Sequence, residues 1–151
     1  MNLKNFLSAD LIVVDMTAEN QREALNALVA PLVKNDIVTD ATQFLDDLEA
    51  REAQITTVMD NGVALPHARS HAVRRLGLAV GLAPQGIQFN PESDVLSRLF
   101  FCIAVPSFAP TAHMPMLQTL AKFARDPKRV EKLLASKQPG IANRYLGSFK
   151  G

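Results

Sequence analysis

The sequence predicts an α/β domain of mixed type: three layers, α/β/α, with helices on both faces of a mixed β-sheet. Two patterns lead there. A short β-branched run, Leu11-Ile12-Val13-Val14, precedes two stretches with helical apolar spacing, and a continuous apolar run from Leu99 to Val105 sits between further helical stretches. A strand apolar on both sides needs cover on both faces, so helices must lie above and below it. With 151 residues, 48% of them apolar, the chain has material for one core, and a single domain over residues 1–151 is expected.

In chain order, Leu11–Val14 reads as a strand buried on at least one face. Thr17, with Asn20 three residues on, signals a helix whose Leu25, Leu28, Val29 and Leu32 repeat at i, i+3, i+4 and i+7. Asp40 caps a second helix with the same stripe in Ala41, Phe44, Leu45 and Leu48, and Arg51 stands at its end. Asn61-Gly62 marks a turn, after which Val63-Ala64-Leu65-Pro66 runs as a short apolar strand that ends on His67. Pro66 fixes its own φ and drives Leu65 towards extended backbone, so the approach to the imidazole is stiff. Ala68 to Arg75 reads as solvated loop, with Arg69 on the face of His67 only if the strand continues, and His71 at the surface.

Gly77–Leu82 and Ile87–Phe89, separated by Ala83-Pro84-Gln85-Gly86, read as a hairpin-like pair. Pro106 ends the apolar strand. A loop then leads to His113 and a helix with Leu117, Leu120, Ala121 and Ala124 as its buried stripe, Pro115 fitting the first turn. Asp126-Pro127 opens another helix carrying Val130, Leu133 and Leu134, and a last short helix covers Ile141–Leu146.

Composition excludes several functions. Lys and Arg number 16 against 15 Asp and Glu, with no basic run, so nucleic acid is not an expected partner. Three scattered histidines and one cysteine make no metal-ligand spacing, and neither a metal nor a cofactor is expected. Cys102, inside the apolar run, reads as a small packed hydrophobe. No segment approaches the roughly 20 apolar residues of a membrane span, and the N-terminal residues lack the apolar core of a leader, so a cytoplasmic protein without membrane insertion is expected.

The stretch from Arg51 reads Arg51-Glu52-Ala53-Gln54-Ile55-Thr56-Thr57-Val58-Met59-Asp60-Asn61-Gly62-Val63-Ala64-Leu65-Pro66-His67. It resembles the active-site region of the fructose, mannitol and nitrogen-regulatory class of enzyme IIA domains in the bacterial phosphoenolpyruvate-dependent phosphotransferase system. There an Arg-Glu pair, a loop rich in Gly, Ser and Thr, and an Asn-Gly turn precede Ile-Ala-Ile-Pro-His, whose histidine is phosphorylated. Arg51, Glu52, Thr57, Asn61, Gly62, Ala64, Pro66 and His67 fall in register, and His113 resembles the family's second active-site histidine. The likeness spans nearly the whole chain. It departs at Ile55, Val58 and Asp60, where relatives carry glycines.

The resemblance implies a phosphohistidine enzyme. His67 would accept a phosphoryl group at Nε2 from the phosphocarrier HPr and pass it to a IIB domain of a permease or to a regulated target. Arg51 would neutralise the phosphoryl oxygens, and His113, neutral at a helix N-terminus, would donate to them. Thr57 and Asn61 are weaker phosphate-binding candidates. Each residue also has a plainer reading: Arg51 as partner of a helix dipole, His113 as a cap, the threonines as β-formers, His67 as a packed side chain. A second functional reading keeps the fold as a regulatory protein-binding module whose phosphorylation is a switch or has been lost.

Overall fold

A computed structural model describes residues 1–151. Four strands, β1 (Ile12–Val13), β2 (His67–Ser70), β3 (Gly77–Ile87) and β4 (Ser97–Pro106), form one sheet in the order β1-β3-β4-β2. The central pair β3 and β4 is antiparallel, while β1 runs parallel to β3 and β2 parallel to β4. Helices α1 (Gln21–Lys34) and α2 (Ala41–Gln54) cover one face; α3 (Met114–Ala124), α4 (Pro127–Leu134) and α5 (Pro139–Gly147) cover the other. The expected three-layer architecture with a mixed sheet is what the chain forms. No helix is long and apolar enough to cross a membrane.

Strand β4 divides the core in two. Its Phe100, Cys102 and Ala104 pack with α1 and α2, and its Leu99, Phe101, Ile103 and Val105 pack with the other three helices. This is the period-2 alternation of a strand buried on both sides. Burial pushes the Cys102 thiol up to about 12, so it stays protonated and inert. On the α1 face of β3 the side chains are small. A Cβ on Gly81 would lie 2.8 Å from the Met16 sulfur and 3.0 Å from a Leu28 methyl, so the glycine sets how closely α1 approaches.

Local chemistry sets the helix ends. Asp40 accepts from the Gln43 amide as expected, and Asp126 caps α4 in the same way. Helix α1 begins later than Thr17 suggests. Asn20 is its cap, accepting from the Glu23 amide while the Glu23 side chain returns to it. The helix ends with Asp36 at φ 59° and its Ile37 amide on Leu32 O, a Schellman closure with aspartate in glycine's usual place.

Three expectations are corrected. The segments on either side of Ala83–Gly86 are not a hairpin but one strand, β3, whose register against β4 shifts between Leu82 and Ile87. Pro84 and Gly86 mark that irregularity, and the true reversal is the connection from Ile87 to Ser97. Of the residues read as loop after His67, Ala68 to Ser70 are strand β2 at the sheet's edge, and the turn begins only at His71. In α3 the buried stripe is Met116, Thr119, Leu120, Phe123 and Ala124. It is rotated from the predicted one because Leu117, half-buried at the core's border, also lines a cleft.

The turn before His67 depends on Gly62, which sits at φ +89°; a Cβ there would meet Leu96 O at 2.5 Å. Gly62→Ala therefore combines left-handed strain with a backbone clash, and is expected to cost about 2–4 kcal/mol. Urea unfolding checks this; a loss under about 0.5 kcal/mol, the scatter of an ordinary surface change, would refute it.

Candidate active site

His67 opens strand β2, and the lead-in to it is already held against β4. The Ala64 amide donates to Leu99 O (3.0 Å), the Phe101 amide to Ala64 O (2.9 Å) and the Ile103 amide to Pro66 O (2.9 Å). Proline is tolerated here because β2 is an edge strand and Pro66 contributes only its carbonyl. Parallel pairing then continues as His67 with Ile103 through Ser70 with Pro106. The histidine thus starts the strand instead of ending one. Its Nδ1 lies 2.7 Å from Leu65 O. A carbonyl only accepts, so the proton sits on Nδ1 and the lone pair on Nε2.

A cleft of about 440 Å³ opens beside this ring. Helix α2 supplies Asp47, Ala50, Arg51 and Gln54; β2 supplies His67, Ala68 and Arg69; the start of α3 supplies His113, Met114 and Leu117. The structure therefore brings His67, Arg51 and His113 together, across 62 residues of sequence. The two imidazole centroids are 5.4 Å apart. Arg51 donates from Nη1 to Ile55 O at the end of its own helix (2.9 Å). His113 is the residue before the first turn of α3, buried, and its side chain caps nothing. Its Nδ1 has no hydrogen-bond partner. A buried orphan lone pair is cheaper than a buried orphan N–H, so the favoured tautomer carries its proton on Nε2.

Both imidazoles titrate below the ordinary value of 6.5. For His67 the largest cause is burial; Arg51 and Arg69 push the same way, while the bond to Leu65 and the Glu52 carboxylate oppose it. For His113 burial again leads, followed by His67, Arg69 and Arg51. Neither ring carries a proton's charge at neutral pH. The cleft thus joins two neutral imidazoles to the guanidinium groups of Arg51 and Arg69.

Thr57 and Asn61 are placed differently from the expectation. Neither lines the cleft. The buried Glu52 carboxylate accepts from the Thr57 hydroxyl (2.6 Å), the Thr57 amide (2.7 Å) and the Thr56 hydroxyl (3.0 Å). Asn61 accepts from the Val63 amide (3.1 Å) and donates to Ala124 O at the end of α3 (2.8 Å). These bonds hold the loop and point away from the cleft, which neither residue lines. Arg69 is the cleft residue that sequence reading left aside, and its signal was the i, i+2 spacing from His67. Asp60 is exposed in the turn and outside the cleft.

Residues 5–146 match the family model described as phosphoenolpyruvate-dependent sugar phosphotransferase system, EIIA 2. The chain belongs to that family. It is similar to the fructose-specific EIIA component of Haloferax volcanii, 30% identical over 125 residues that make up 83% of this chain and 81% of that protein. It is also 29% identical to the multiphosphoryl transfer protein of Xanthomonas campestris, covering 89% of this chain but only 16% of that much longer relative. Two solved structures superpose with a TM-score of 0.80. One is the nitrogen regulatory protein IIA-Ntr of Neisseria meningitidis, at 22% identity over 95% of this chain and 98% of that one. The other is enzyme IIAMTL in its complex with phosphorylated enzyme IIBMTL from Escherichia coli, at 23% identity over 95% and 98%. At such identities the superpositions speak for the fold; the family match makes this chain an enzyme IIA component of a phosphotransferase system.

The lowered histidines give this EIIA domain a pH signature. Above pH 6.5, their ordinary value, folded and unfolded chains both hold neutral imidazoles, and the two groups contribute nothing. As pH falls through that value the unfolded chain takes up protons that the folded chain refuses, so stability drops. Denaturant unfolding from pH 7 to 5 is expected to show a smaller loss for the double variant His67→Gln, His113→Gln than for wild type. Equal slopes would overturn the assignment.

Proposed function

We propose that His67 is the phosphoryl-accepting residue, with Arg51 and His113 stabilising the group in transfer. The observation that carries this reading is the bond from His67 Nδ1–H to Leu65 O, which leaves Nε2 as the ring's free nucleophilic nitrogen at the wall of the cleft. The Nε2 lone pair attacks the phosphorus of a phosphohistidine on an HPr-type carrier. The donor's P–N bond breaks with its electron pair returning to the donor nitrogen. The donor ring leaves neutral because its other nitrogen carries a proton, as Nδ1 of His67 does here. The product is a phosphoimidazolium on His67 whose Nδ1–H still donates to Leu65 O.

Such a transfer is almost thermoneutral in bond terms, so positioning and charge neutralisation are what the protein supplies. A guanidinium fork at Arg51 suits the phosphoryl oxygens. An Nε2–H of neutral His113 adds a donor without repelling the approaching donor's proton. The onward acceptor is then a IIB domain, the class of partner held in the E. coli mannitol complex. Phosphoenolpyruvate-fed carriers work in the cytoplasm, and this reading places the chain there, as one domain over residues 1–151.

Intact-mass measurement after incubation with phosphoenolpyruvate, enzyme I and HPr tests it. The wild type is expected to gain one acid-labile phosphoryl group and His67→Ala none. Arg51→Ala and His113→Ala should gain it about 100-fold more slowly, the usual loss for one electrostatic contact to a transition state. An unmodified wild type, or a His67→Ala protein that is still modified, would reject the assignment.

A further inference from the structure

The transfer reading leaves one cationic side chain of the cleft unused. Arg69 lies two residues beyond His67 on the same strand, so its side chain leaves β2 on the same face, and both line the cleft with Arg51 and His113. Its Nε donates to Pro110 O (2.7 Å), in the loop that leads to His113. That bond uses one of five N–H donors and leaves the four on Nη1 and Nη2 without a protein partner. The molecule's ion pairs engage Arg22, Arg98 and Arg129, and none engages Arg51 or Arg69. The only carboxylate lining the cleft is that of Asp47.

Two guanidiniums without carboxylate partners, one from α2 and one from β2, beside a neutral nucleophile, form an arrangement that waits for an anion. The charge count fits. A phosphoryl group carries close to two negative charges and three acceptor oxygens, more than the single fork of Arg51 can meet. A strand arginine whose work ended at Pro110 O would need only its Nε, and its uncompensated charge beside two imidazoles would be a cost with no return.

We propose that Arg69 is a second phosphoryl-binding guanidinium, which closes on the phosphoryl group of His67 from the β2 side while Arg51 holds it from α2; this rests on the transfer reading above. Stabilising the phosphorylated state relative to the donor lowers the transfer potential of this phosphohistidine. Because Nε stays on Pro110 O, the same side chain ties the phosphoryl group to the loop that positions His113. Arg69 therefore sets how far the equilibrium with the carrier lies towards phosphorylated His67.

The test measures the phosphorylated fraction of the full chain at equilibrium with a fixed ratio of phospho-HPr to HPr, for wild type, Arg69→Ala and Arg69→Lys, beside the unfolding free energy of each. The equilibrium constant is expected to fall about tenfold or more in Arg69→Ala, the scale of one charge-assisted contact, and to recover in part in Arg69→Lys, which keeps the charge but cannot keep the Nε bond. A residue that only clamped the loop would change stability and forward rate, leave the equilibrium constant unmoved and gain nothing from lysine. That result overturns the proposal while leaving the transfer reading intact. A wild type that is never phosphorylated overturns both. Should the alanine variant fail to fold, Arg69→Lys and Arg69→Gln make the same comparison, charge kept against charge lost on stems of similar reach.

Discussion

The free edge of β4 decides where the imidazole of His67 can stand. From Ala64 to Ser70 the chain lies along that edge, first through isolated bonds to Leu99, Phe101 and Ile103 and then as the regular strand β2. Parallel pairing fixes which side chains face which layer, and a slip of one residue would reverse them all. Ala68 would then leave the α2 layer, and His67 and Arg69 would turn into it, among Phe44, Leu45 and Leu48. Burying an imidazole and a guanidinium there costs several kcal/mol. The register that puts the two polar residues in the cleft is therefore the one the core can tolerate. Because β4 is packed on both faces by Phe100, Phe101 and their neighbours, the edge itself does not give.

On that rigid edge the electrostatics carry a tension that the chemistry needs. Burial and two arginines keep His67 neutral, which preserves the Nε2 lone pair; the bond to Leu65 O works in the opposite sense, favouring the cationic ring. In the unphosphorylated state burial and the arginines prevail. Once a phosphoryl group sits on Nε2 the ring is cationic through its Nδ1 proton, and the arginines face a dianion. The same Leu65 carbonyl then stabilises the product. In the proposed transfer, one hydrogen bond thus leaves Nε2 free beforehand and supports the positive ring afterwards.

How much of this could be read from the sequence depended on whether the signal was local. Asp40 as a cap, the α1 stripe and the doubly buried β4 followed from neighbours within a few residues, and they stand as expected. The family likeness placed Arg51, His67 and His113, and the fold brings them into one cleft. Sequence alone misread β3 because Pro84 and Gly86 imitate a turn, whereas a long pairing with β4 carries the strand through them. It misread β2 because a polar edge strand has the composition of a loop. Thr57 and Asn61 read as weaker phosphate candidates because they fall in the family's register, in a loop whose polar groups could donate. Their partners, Glu52 and the Ala124 carbonyl, are decided by the packing of α2 and α3, which no local pattern reveals.

The Arg51-Glu52 pair shows how two adjacent residues divide the work. Neighbours on a helix point about 100° apart, so Arg51 reaches the cleft while Glu52 turns under the loop, buried with three donors around its carboxylate. From there a line of hydrogen bonds runs to the imidazole. Glu52 holds the Thr57 hydroxyl and amide, Thr57 O accepts from the Leu65 amide (3.2 Å), and Leu65 O accepts from His67 Nδ1 (2.7 Å). This explains why the loop does without the glycines at Ile55, Val58 and Asp60. None of the three takes a positive φ, and the only residue of the turn that does is Gly62. A loop anchored by a buried carboxylate needs one left-handed position, Gly62, to complete the turn that its amide closes on Met59 O. Its stiffness passes directly to the Leu65 carbonyl, and so to the orientation of the His67 ring.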